Sequence, residues 1–194
     1  MADRLVDLVL NASPQERTEI YLSLTPEEKY ALAVILDAEI ENPWARWEHD
    51  PIGFIQDGLG EALWSKQRDI LLSIRDNKRT VVPACHAPGK SHLAARAIAW
   101  WISVHPPGTA IAISTASTFR QVRNIMWAQV RKVHTAHNLP GEILTTEWKM
   151  QGTVVAYGFS PVSNDEAAVQ GIHAPHLLIV VDAAGGLSET IGSA

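Results

Sequence analysis

The residues with the clearest chemistry in this chain are Gly89, Lys90 and Ser91, which close the run Ala84-Cys85-His86-Ala87-Pro88-Gly89-Lys90-Ser91. Upstream, Thr80-Val81-Val82-Pro83 reads as a short buried strand, and the alanine-rich stretch 92–101 reads as a helix. A strand, a tight loop and a helix form the setting in which backbone N–H groups and a helix N-terminus cradle phosphate oxygens. In that setting Lys90 neutralises the β- and γ-phosphates and Ser91 is a Mg²⁺ ligand. Ala84, His86, Pro88, Gly89 and His92 complete the cradle, with Ala84 where such loops usually open on glycine.

A second carboxylate site lies far downstream. Leu177-Leu178-Ile179-Val180-Val181 is an unbroken apolar run, the pattern of a central parallel strand buried on both faces. It ends in Asp182, where a P-loop ATPase places the carboxylate that holds hydrated Mg²⁺. ATPases that hydrolyse through an added glutamate carry this general base directly after the aspartate. Here that position is Ala183, which can neither accept a proton nor align water. The pattern fits a glutamate-to-alanine replacement that leaves nucleotide bound, or a natural homologue that does not hydrolyse. Gln67, one helix before the phosphate loop, carries an amide donor and acceptor suited to the edge of adenine.

The elements that must position these groups fit one domain with an appendage, since 194 residues bury a sizeable core. Apolar residues make up 46% and charged residues 19%, an ordinary globular balance. A net charge of −5 argues against a globally basic nucleic-acid coat but leaves room for a local basic face. Cys85 is the single cysteine, so no internal disulfide forms and a reducing compartment is expected. No segment approaches the ~20 apolar residues of a membrane span, and the N-terminus lacks a signal-peptide layout. Eight histidines are scattered without the carboxylate or cysteine company of a zinc site.

Residues 1–42 are expected to form a small N-terminal helical region. Ser13-Pro14-Gln15-Glu16 and Thr25-Pro26-Glu27-Glu28 are capping boxes with proline at the first helical position. A helix opens near Leu63 and leads into the phosphate-loop strand. After the loop helix come a strand over 109–114 and a long helix over 115–137, with Phe119, Val122, Met126, Val130 and Val133 as its apolar stripe. Arg120, Arg123, Arg131 and Lys132 give this helix a positive face suited to a DNA backbone or a neighbouring subunit's nucleotide. Segments 143–149 and 153–159 read as a hairpin about Gln151-Gly152, followed by a loop over 160–176.

Residues 43–192 resemble the ATPase half of a large terminase subunit, the motor that packages DNA into tailed-phage capsids. The resemblance rests on Leu63-Trp64-Ser65-Lys66-Gln67, similar to the family's adenine motif, on the phosphate loop, and on Ser114-Thr115-Ala116-Ser117-Thr118. It rests most of all on the lead-in from Gly171 through Asp182, with Gly185-Gly186 beyond. It implies an α/β fold of the P-loop NTPase additional-strand type, with a mainly parallel sheet flanked by helices over 43–194. It also implies ATP and Mg²⁺ as cofactors, with Lys90, Asp182 and the Ala183 position as the catalytic set. The implied partners are double-stranded viral DNA, the portal protein, the small terminase subunit and further copies in a ring. The implied location is the host cytoplasm, transiently on the procapsid portal.

The chain departs from the family pattern at Ala183, at His86 where many relatives have arginine, and at Gln170 where some offer an arginine to a neighbour. It stops at Ala194, before the motif that couples hydrolysis to movement and before a nuclease, so a hydrolysis-impaired, truncated motor domain is expected. Two other classes fit part of the pattern. A helicase-like translocase would share Gln67, Lys90 and Asp182 but needs a second recombinase-like domain, and a natural pseudo-ATPase scaffold would explain Ala183.

Overall fold

The computed structural model describes residues 16, 20, 23–25, 42–83, 89–106, 108–160 and 174–182. The chain divides into two compact units, Met1–Pro43 and Trp44–Ala194. The helices expected near residues 14 and 26 lie largely outside the described residues, and so does most of the 160–176 loop.

The second unit is α/β. Its sheet has five strands, β1 (Ala110–Ala116), β2 (Glu142–Ile143), β3 (Glu147–Met150), β4 (Thr153–Phe159) and β5 (His176–Asp182), in the order β2-β3-β4-β1-β5. β1 runs parallel to both β4 and β5, while β3 is antiparallel to β4 and to β2. The sheet is therefore mixed and not mainly parallel. The cause is local: Gln151 and Gly152 both take positive φ, 50° and 79°, and join β3 to β4 by a two-residue turn. So short a connection permits only an antiparallel pair, which is the hairpin expected from the sequence.

After a short helix, α1 (Pro51–Gly53), which continues as a π turn over Phe54–Gly58, come α2 (Ser65–Asp76) and α3 (Lys90–Val104). α3 is buried nearly all round, from Leu93 to Val104, because it packs against β1 and against the helix after β1. Small residues at 95, 97 and 99 allow these close contacts. The expected helix over 115–137 begins later. β1 runs on to Ala116, and Thr118 caps α4 (Phe119–Gln121) by accepting the Gln121 N–H. A π turn over Val122–Met126 then leads into α5 (Trp127–Ala136). Val122, Met126, Val130 and Val133 are buried as the stripe predicts, but Phe119 is 51% exposed. Trp127 is buried against β1, its indole N–H donating to Ser114 Oγ at 2.8 Å. Gly158 on β4 makes room for it, since a Cβ there would overlap the indole.

Two sequence expectations about strands are corrected. Thr80–Pro83 is not a strand and is not buried: Val81 is 89% exposed, and the Thr80 hydroxyl is hydrogen-bonded to Ser73 of α2 at 2.9 Å. Pro83 moreover has no N–H to give a ladder. β5 is not buried on both faces. It pairs only with β1 among the described residues, and Leu177, Ile179 and Val181 all point to the more exposed side. Among the described residues, no helix is long and apolar enough to cross a membrane.

Candidate nucleotide site

The parallel register brings the carboxyl ends of β1 and β5 to one rim, with Ala116 opposite Asp182. In open α/β sheets, ligands bind outside these strand ends. The first turn of α3 reaches the same rim. Gly89 precedes it with φ of 82°, a left-handed conformation that glycine adopts without Cβ strain, and Lys90 starts the helix. Ser91 Oγ donates to Asp182 Oδ2 at 2.9 Å. Two groups that the sequence reading assigns to one Mg²⁺, 91 positions apart, thus meet.

Their spacing suits the ion. Neighbouring oxygens of an octahedral Mg²⁺ shell with bonds of ~2.1 Å stand ~3 Å apart, and Mg²⁺ usually takes only one or two protein ligands beside water and phosphate. Among the described residues, no group of three or more His, Cys, Asp or Glu side chains could hold a metal ion. A hydroxyl with one carboxylate is the sparse set that Mg²⁺ uses with a phosphate ligand.

A cavity of about 390 Å³ opens between the start of α3 and α2, and its wall includes Trp64, Lys66, Gln67, Asp69, Gly89 and Lys90. Gln67, Gly89 and Lys90 therefore share one space. Ala84, His86, Pro88 and Ala183 lie outside the described residues, as do Cys85 and Gln170.

His92, assigned to the phosphate cradle, belongs to a polar cluster. Glu61 accepts two hydrogen bonds from Arg96, Nε to Oε2 and Nη2 to Oε1, each 2.8 Å. His137 Nε2 lies 3.1 Å from Glu61 Oε1, and His92 Nε2 lies 3.6 Å from Oε2. Arg96 is buried, and its hydrogen bond holds the Glu61 carboxyl down to about 2. Burial also lowers the His92 pKa, with the Arg96 charge acting in the same direction. The cluster joins the segment before α2, helix α3 and the end of α5, and so braces the helix that carries Lys90 and Ser91. Sequence reasoning passed over it. Its signal was an arginine inside the apolar run of α3, which must be paired if buried.

The four cations of the α4–α5 segment differ in their surroundings. Arg120 and Arg123 are exposed beside exposed Phe119 and Ile125. Arg131 donates from Nη1 to the Thr145 carbonyl, and Lys132 is close enough to His92 to lower its pKa. Comparison with protein-family models, with curated proteins and with solved structures gives no match.

Proposed function

We propose that this chain binds Mg²⁺·ATP at the Gly89–Ser91 turn and is the motor domain of a DNA-packaging terminase. The single observation that carries the nucleotide reading is the 2.9 Å hydrogen bond from Ser91 to Asp182. Sequence motifs alone assigned both residues to one ion. Lys90 starts a 15-residue helix whose first N–H groups have no intrahelical acceptor, so charge and backbone act together on an anion. Bound Mg²⁺ would neutralise phosphate charge. Asp182 and Ser91 hold that position, and Lys90 neutralises the terminal phosphates. The terminase assignment adds the motifs around Gln67 and the lead-in to Asp182. Double-stranded DNA, the portal protein, the small terminase subunit and a ring of copies are the partners it entails, in the host cytoplasm.

Ala183 favours a second reading of the same site, a module that binds nucleotide without turning it over. Ala183→Glu in the assembled motor separates the two. A motor that lacks only its base gains single-turnover hydrolysis by ~10²–10⁴-fold with ATP affinity unchanged. An unaltered rate speaks for the binding module.

A further inference from the structure

Phe119 and Ile125 are the misfits of the α4–α5 segment. Val122 and Met126 of its apolar stripe are buried at 2% or less, whereas Phe119 is 51% and Ile125 49% exposed. Exposed with them are Arg120, Arg123 and Asn124. No carboxylate occurs between Ser117 and Gly141. The start of the segment is held by reciprocal hydrogen bonds. Thr118 Oγ1 accepts the Gln121 N–H at 3.3 Å, and Gln121 Oε1 accepts the Thr118 N–H at 3.1 Å. Phe119 and Arg120 are thus presented from an ordered turn, so little backbone freedom is lost when they are covered.

Large exposed apolar side chains beside arginine, with no lysine among them, have the composition of a protein–protein interface core. A duplex phosphate surface has a use for the two arginines and none for Phe119 and Ile125. The fitting partner is a protein segment with an apolar centre and carboxylates around it. The chain itself carries such a segment. Of its 21 carboxylates and 16 Lys and Arg residues, residues 1–42 hold nine and three. Within them Tyr30-Ala31-Leu32-Ala33-Val34-Ile35-Leu36 is an uncharged run. Glu27 and Glu28 stand before it, Asp37, Glu39 and Glu41 after it, and Lys29 is the one cation among them. That segment lies outside the described residues, and its charge and hydropathy make the match.

We infer that the face at Phe119, Arg120, Arg123 and Ile125 is a docking surface for residues 27–41 of a second copy of this chain. The inference deepens the proposed ring of copies, on which it rests, by naming a contact between neighbours. Two different surfaces meet, so the contact is head-to-tail, the kind that closes a ring or continues as a filament. Carboxylates against the arginines orient the partners and make the contact salt-sensitive, while covering Phe119 and Ile125 removes apolar area from water.

Sedimentation equilibrium of the full chain at low salt, without nucleotide or DNA, tests this. The samples are the wild type, Phe119→Ala, and two charge-reversed variants, Arg120→Glu with Arg123→Glu and Glu27→Arg with Glu28→Arg. The wild type is expected to associate with rising concentration, and less so as salt is added. Each charge-reversed variant alone should associate more weakly by roughly tenfold or more. An equimolar mixture of the two should recover association, because each then offers the other an opposite charge. Phe119→Ala should weaken association without changing its salt dependence. Unchanged association in the variants of an associating wild type overturns the inference and leaves the ring reading standing. So does a loss in both variants that the mixture does not recover. Loss of duplex DNA binding in Arg120→Glu with Arg123→Glu, with sedimentation unaltered, overturns it in favour of a DNA surface. If the wild type sediments as a monomer at every concentration, the ring reading fails first and this inference with it.

Discussion

The hydroxyl of Ser91 donates to the carboxylate of Asp182 at 2.9 Å, joining the first turn of α3 to the last residue of β5 across 91 positions of sequence. Each group sits near the end of its element and is only partly buried. Under the proposed function they are the two protein corners of a Mg²⁺ shell.

Ser91→Ala and Asp182→Asn should each weaken the Mg²⁺ dependence of nucleotide binding, and the double variant should lose less than the sum. Residues in contact within one network show interaction energies of ~0.5–3 kcal/mol. Nucleotide titrations at several Mg²⁺ concentrations give the cycle. Strictly additive losses would mean that the two side chains act on different things.

Glu61→Gln keeps the shape of the side chain and leaves the Arg96 guanidinium buried without a counter-charge. Breaking a fully buried pair costs ~3–5 kcal/mol; Glu61 keeps part of its side chain in solvent, so a smaller loss and a lower urea midpoint are expected at pH 7. The pH profile carries a second signature. The folded Glu61 carboxyl is depressed from 4.5 to about 2, chiefly by its hydrogen bond with Arg96. Stability from a depressed carboxyl is present above its unfolded value and is lost as pH falls from 4.5 toward 2. Wild type and variant should converge across that window. Parallel profiles would assign the stability elsewhere.

Mild acid should act through His105. Its Nδ1–H donates to the Trp101 carbonyl at 2.7 Å, and its ring lies 4.0 Å from that of His176. Burial lowers its pKa below 6.5, with His176 and His49 pushing in the same direction, against the Trp101 carbonyl hydrogen bond and Glu48. The unfolded chain therefore takes up a proton first as pH falls through 6.5, and the folded state loses stability below that point. Burial lowers His134 likewise. His105→Asn, which keeps a donor for the Trp101 carbonyl, should melt with a flatter dependence on pH between neutrality and pH ~5.5. An unchanged slope would exonerate this ring.

Arg120 and Arg123 give the DNA reading its most accessible cations. If they meet duplex phosphates, each alanine substitution should flatten the slope of log K against log salt by ~0.9. Arg131 is already committed to the Thr145 carbonyl, so Arg131→Ala should lower stability more than it changes the salt slope. Salt slopes equal to the wild type's in Arg120→Ala and Arg123→Ala would show that this surface does not touch DNA.

The candidate site was legible where the expected chemistry forces residue type. Lys90, Ser91 and Asp182 stand out in the sequence because a phosphate and Mg²⁺ site would demand particular side chains at the ends of particular elements, and the fold brings Ser91 and Asp182 within hydrogen-bond distance. The Gln151-Gly152 hairpin was legible because two successive positive φ angles leave few residue choices. Position in the sheet was not legible. An apolar run such as 177–181 reads the same in a central strand and at an edge, and only its pairing partners decide. Thr80-Val81-Val82-Pro83 has strand composition, yet its side-chain partner is on α2 and the segment joins no ladder. The Glu61 cluster depends on three segments converging, which no local pattern reveals.

The central claim is that Gly89, Lys90 and Ser91 hold the phosphates of a Mg²⁺-bound nucleotide. Calorimetric titration of Mg²⁺·ATP into the wild type and Lys90→Ala tests it most directly. A charge-assisted contact is worth ~1.5–3 kcal/mol. Saturable one-site binding is expected in the wild type, weakened by roughly 10- to 150-fold in Lys90→Ala and in the wild type without Mg²⁺. No binding by the wild type, or the same affinity in Lys90→Ala, would contradict the account.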